Sequence, residues 1–80
     1  MFTEYINAAM ETAQFEYWDD DKVYYGHIPA CRGVLATGDT LDLCRKELEE
    51  VLEGWLLVGI YHHDPIPVID GVSLEIKEAA

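Results

Sequence analysis

Eighty residues make one domain, expected to span 1–80, with a single small core of marginal stability. Sixteen acidic against five basic residues give a net charge of −11, a surface that repels nucleic acid and anionic lipid, because neutralising phosphates takes clustered Lys and Arg. Half of the residues are hydrophobic, too many for a disordered chain, yet no apolar run is long enough to span a bilayer.

Phe2, Tyr5, Ile6, Ala9 and Met10 fall at i, i+3, i+4, i+7 and i+8, predicting a helix over 1–12. So short a helix is not stable alone, and its stripe must dock on this chain's sheet or on a neighbouring subunit. From Ala13 the period becomes two. Ala13, Phe15 and Tyr17 alternate with Gln14, Glu16 and Trp18, and after Asp19-Asp20-Asp21 a second run sets Val23, Tyr25 and His27 against Tyr24, Gly26 and Ile28. Two β-rich runs joined by turn-forming acids read as a hairpin, with Phe15, Tyr17, Val23 and Tyr25 as its inward set. Pro29, which has no N–H for a ladder, ends the second run. A turn containing Gly33 leads to a third strand from Val34 to Thr37.

A long amphipathic helix follows over about 40–59, with Leu41, Cys44, Leu48, Val51, Leu52, Trp55 and Val58 on its apolar face. Gly59 and Pro65 mark its end, His62-His63-Asp64-Pro65-Ile66-Pro67 forms a stiff loop, and Val72, Leu74 and Ile76 alternate as a last strand. The expectation is an α+β domain of order α-β-β-β-α-β. One helix covers one face of a small, mainly antiparallel sheet, with 13–76 as the core behind an extra N-terminal helix.

The stretch GVLATGDT at 33–40 differs by one residue, Asp39 for Lys, from the phosphate loop of nucleotide hydrolases. Asp39 would set a negative charge against negative phosphates, and Val34-Leu35-Ala36-Thr37 reads as pleated strand. Gly38 suits the turn after that strand, while Thr40 caps the following helix and Asp42 favours its first turn. Asp19, Asp20 and Asp21 lack the alternate spacing of a calcium loop and read as a solvated hairpin tip, with docking of a basic partner left open. His62 and His63 lack ligand spacing, and no metal or cofactor is expected. No hydrophobic leader precedes Cys31 and Cys44, so the expectation is a reducing cytoplasm and free thiols, with no base placed beside either.

Leu43 and Leu57 lie opposite the core stripe, near Glu50 and Glu53, and Trp55-Leu56-Leu57-Val58 makes the last turns apolar nearly all round. With a core this small, these residues point to burial against another copy, as a homodimer or higher oligomer.

Within GHIPACRGVLATGDTLDLCRKELEEVLEGWLLVG, the ordered set Pro29, Gly33, Gly38, Asp39, Thr40, Leu48 and Trp55 resembles the HicB family of bacterial antitoxins, and Pro65-Ile66-Pro67 is similar to the loop that follows there. The resemblance covers residues 15–67. It implies a partial ribonuclease-H-like β-β-β-α-β fold and a protein that neutralises HicA, a small basic toxin that degrades messenger RNA. Many relatives add a C-terminal DNA-binding domain. Here only Lys-Glu-Ala-Ala follows Ile76, and Arg32 stands where a proline is common, so the resemblance implies a toxin-binding module or stand-alone relative that does not itself bind nucleic acid.

The expected function is therefore non-enzymatic: acidic steering followed by occlusion of a basic toxin, with Glu16, Asp19, Asp20, Asp21, Glu50 and Glu53 as the charged contacts. The alternative is an orphan homo-oligomeric domain without a toxin. A metal-dependent nuclease comes last, since the inward strand positions are largely apolar where convergent carboxylates would be needed.

Overall fold

The fold follows from how closely a helix can approach a sheet, which small residues decide. The computed structural model describes residues 2–69, 71 and 72. Five elements run in the order α1 (Phe2–Glu11), β1 (Gln14–Trp18), β2 (Val23–His27), β3 (Leu35–Gly38) and α2 (Leu41–Tyr61). The strands form an antiparallel meander, β1-β2-β3. This is the expected α+β order as far as α2. The expected last strand lies outside the described residues except for Val72, which forms an isolated antiparallel bridge with Ile69.

Register fixes the two faces. Phe15 stands opposite Gly26 and Gly26 opposite Ala36, while Tyr17, Tyr24 and Gly38 form the adjacent row. This face meets α2, and its glycines allow the contact. A Cβ on Gly38 would lie 2.8 Å from Cys44 Cα and nearer still to its amide nitrogen. One on Gly26 would meet the Phe15 ring at 2.7 Å and Cys44 Sγ at 3.2 Å. Because Gly26 faces the helix, period two turns Val23, Tyr25 and His27 away from it. The expected inward set is therefore corrected: Phe15 and Tyr17 share the helix-side face, Val23 and Tyr25 the opposite one.

The turn 29–33 closes with Cys31 N–H donating to the Ile28 carbonyl, Val34 N–H to the Cys31 carbonyl and Ile28 N–H to the Val34 carbonyl. Gly33 takes φ +90 there, a backbone that favours glycine. Thr40 is extended and its hydroxyl accepts from the Leu43 N–H at 3.1 Å, which is the expected N-cap.

The buried stripe of α2 is Cys44, Leu48, Leu52, Leu56 and Gly59. Steps of four residues overshoot a full turn by about 40°, so the stripe winds around the helix as far as Leu56, and the last step of three residues to Gly59 turns it partly back. It leaves the sheet at Cys44 and reaches the segment after the helix at Gly59, where a Cβ would lie 3.1 Å from Ile66 Cδ1. Hence Leu56 is fully buried, while Leu41 and Val58, expected inside, are 46% and 58% exposed. Gly59 does not end the helix. It continues to Tyr61 and stops in a Schellman arrangement: His63 N–H donates to the Ile60 carbonyl and Asp64 N–H to the Gly59 carbonyl, with His63 at φ 58.

Helix α1 docks within its own chain, against α2, with Tyr5, Ile6, Ala9 and Met10 buried as expected. The hydroxyl of the wholly buried Tyr5 donates to the Pro67 carbonyl at 2.5 Å, which ties α1 to the loop beyond α2.

Two substitutions check this backbone reading by urea unfolding. Gly38→Ala forces α2 off the sheet and is expected to lower stability by about 3 kcal/mol. Lys22, at φ 54 in the hairpin loop, is an L residue in left-handed backbone, and Lys22→Gly is expected to raise stability by about 1 kcal/mol.

Candidate protein-binding surface

Trp18 pairs with Val23 and Tyr24 with Gly38, so the hairpin loop and the turn into α2 lie at the same end of the sheet. Five exposed carboxylates gather at this end: Asp19, Asp20 and Asp21 from the loop, Asp39 from the turn and Asp42 from the first turn of α2. Trp18 and the three loop aspartates line a shallow hollow of about 470 Å³.

Next to the acids lies the sheet face that α2 does not cover. Trp18 and Tyr25 stack there with ring centroids 4.9 Å apart and planes 15° from parallel. Tyr25 continues the row to His27 at 5.8 Å. Glu16 stands directly opposite Tyr25, and Trp18 and Leu35 are 43% and 49% exposed. The Nδ1 of His27 is buried without a hydrogen-bond partner. On the other face, Tyr17 and Tyr24 pair at 5.0 Å. Aromatic faces bordered by carboxylates attract Lys and Arg side chains, the rings through their quadrupoles and the acids through charge.

The expected charged contacts therefore divide. Glu16, Asp19, Asp20 and Asp21 come together. Glu50 and Glu53 are exposed on α2, with Glu50 about 14 Å along the helix from its start, on a separate surface. The expected oligomer contacts divide as well. Leu43 is 54% exposed and lines a groove of about 600 Å³ along β3 with Leu35, Glu47 and Val51. Leu57 is 61% exposed and lies about 21 Å further along the helix. Trp55 is half-buried against the core. Leu56 is wholly buried and is corrected to a core residue, unavailable to a second chain.

Pro29, Gly33, Gly38, Asp39 and Thr40 act as punctuation of strand, turn and helix, so 33–40 is a strand and a cap. Cys31 and Cys44 are free, buried thiols, and Cys44 Sγ–H donates to the Ala36 carbonyl at 3.6 Å. Burial pushes both thiols and the Tyr5 phenol up from their ordinary values. Among the described residues, no group of three His, Cys, Asp or Glu side chains is placed to share a metal ion. Among the same residues, no helix is long and apolar enough to cross a membrane. Sequence reasoning missed the outward aromatic row of Trp18, Tyr25 and His27. Its signal was Gly26, the one small residue in β2 and hence the one to set under a helix.

Residues 4–67 match the family described as UPF0150-like. Among solved structures, the chain is similar to the crystal structure of TTHA0281 from Thermus thermophilus. The two share 36% sequence identity and a TM-score of 0.90, over 96% of this chain and 95% of that one. Comparison with curated proteins gave no match.

The buried thiols make alkaline stability a test of the core. Free thiols ionise near pH 9, whereas the folded protein holds these protons to higher pH. Above pH 9 the unfolded chain therefore binds fewer protons than the folded one, and stability falls as pH rises; below pH 9 the contribution is fully present and flat. The urea midpoint is expected to decline above pH 9, and a Cys31→Ala, Cys44→Ala double variant to lose part of that slope.

Proposed function

The chain belongs to the UPF0150-like family, and from that premise we propose that it is a non-enzymatic protein-binding domain of the HicB antitoxin kind, whose partner is a small basic toxin of the HicA type. The observation that carries the reading is the stacked Trp18–Tyr25 pair with Glu16 and Asp19, Asp20 and Asp21 at its border. The acids act first. A net charge of −11 draws a basic protein in, and the cluster at one end of the sheet orients the encounter.

The aromatics act second. Lys and Arg side chains that a toxin uses to hold RNA phosphates also fit over exposed rings, where desolvation strengthens the contact. Inhibition then requires no chemistry from this chain: a surface that occupies the cationic groups excludes RNA from them. The reading implies that the protein meets its partner in the cytoplasm.

The experiment is to search the neighbouring genes for a short basic protein, co-express it with this chain, and measure affinity across a salt series. Replacing Glu16 by Gln and Asp19, Asp20 and Asp21 by Asn is expected to weaken binding at least about tenfold at low salt and less at high salt. Trp18→Ala is expected to weaken it by a similar factor with little salt dependence. Unchanged affinity and salt slope in the amide variant would remove the assignment. A genomic neighbourhood with no such basic protein would favour an orphan domain.

A further inference from the structure

Gly54 stands alone among the described glycines. Gly26, Gly38 and Gly59 sit where a Cβ would press on neighbouring atoms, and Gly33 and Gly71 have positive φ. Gly54 has neither reason. It lies inside α2 with ordinary helical backbone, it is exposed, and a Cβ there would meet nothing within 4 Å. Glycine is the poorest helix former after proline, so its chain alone gives it no advantage over alanine at this position.

The residues beside it are unusual in the opposite way. Leu57, Val58 and Tyr61 are 61%, 58% and 79% exposed, the largest apolar exposure on the helix. Glu50, Gly54, Leu57 and Tyr61 are spaced by four, three and four residues, which aligns them as one seam on the side away from the buried stripe. A hollow and a protruding side chain thus sit three residues apart on the same line.

We propose that α2 pairs antiparallel with α2 of a second copy of this chain, about a two-fold axis between Gly54 and Leu57. The argument for a second copy is self-complementarity. A two-fold interface requires that if residue i meets j, then j meets i. A seam with a hollow at 54 and a knob at 57 meets that condition, since each Leu57 seats over the other copy's Gly54. The same axis lays each Tyr61 across Glu50 of the other copy, where the phenol O–H can donate to the carboxylate. That gives an acidic chain a neutral donor for its own acid, and the centre of the contact stays apolar. A basic partner would find Gly54, Leu57 and Val58 at the centre, with Glu50 only at the edge. Without a side chain at 54, the two helix axes can approach more closely than the usual 8–10 Å. This surface is separate from the acidic aromatic one, and its test does not depend on any toxin.

Sedimentation equilibrium over a concentration series from micromolar to millimolar is expected to give a monomer–dimer equilibrium. Leu57→Glu and Tyr61→Glu should each shift it to monomer, with circular dichroism and urea midpoint unchanged because both side chains are exposed. Geometry is tested by mixing two singly substituted chains, Gly54→Cys and Leu57→Cys, under mild oxidation. The expected product is the mixed disulfide between position 54 of one copy and 57 of the other, while Cys31 and Cys44 stay buried and silent. A monomer throughout the series would overturn the proposal. So would cross-linking of position 54 only to itself, or a dimer that survives both Glu variants.

Discussion

The seat of the first turn of α2 on Gly26 and Gly38 sets everything else in this domain. Cys44 comes down on the sheet where two strands lack side chains, so helix and sheet approach at backbone distance. Few residues are involved, but the constraint is strict, since any Cβ at position 38 would overlap the helix backbone. With Gly26 fixed toward the helix, pleating leaves β2 no choice about its other side chains. Tyr24 shares the helix side, and Tyr25 faces out beside Trp18. The candidate binding surface is thus a by-product of how the core is closed.

The same seat governs α2. Anchored at Cys44, a stripe that advances by four residues at a time rotates as far as Leu56, and the helix changes partners along its length. Near its start it rests on β2 and β3, and toward its end on the segment that carries Ile66. The outer side of the last turns is left apolar, with Leu57, Val58 and Tyr61 exposed around Gly54. One packing decision thereby produces two unrelated free surfaces: an aromatic and acidic one at the sheet, and a seam on the far side of the helix. The two faces are separate, so the partner binding and the self-pairing proposed for them do not compete for the same residues.

Much of this was legible in the sequence where one local rule acts alone. The amphipathic period of α1, the hairpin around three aspartates, Pro29 at the end of β2 and Thr40 as helix cap all follow from short-range chemistry. Misreadings arose where two elements had to be known together. Alternation says that Val23, Tyr25 and His27 share a face, but not which face, and only the approach of α2 to Gly26 decides it. A straight apolar stripe drawn on α2 puts Val58 inside and Leu56 at its margin; the winding contact reverses them. Gly59 looked like a terminator, yet it is a packing residue, and His63 takes the left-handed position instead. For the acids, charge by itself names no partner, and only the placement of the hairpin loop against α2 separates Asp19, Asp20 and Asp21 from Glu50 and Glu53.

The bond from Tyr5 to Pro67 bears on the order in which the domain folds. It joins positions 62 residues apart, near the first and last described segments. The apolar stripe of α1 is complete within ten residues, but the carbonyl that receives the tyrosine hydroxyl lies beyond three strands and α2. Long-range closures of this kind form late. The stripe of α1 therefore stays unburied, and its ten residues too few to hold a helix alone, until the sheet and α2 have formed.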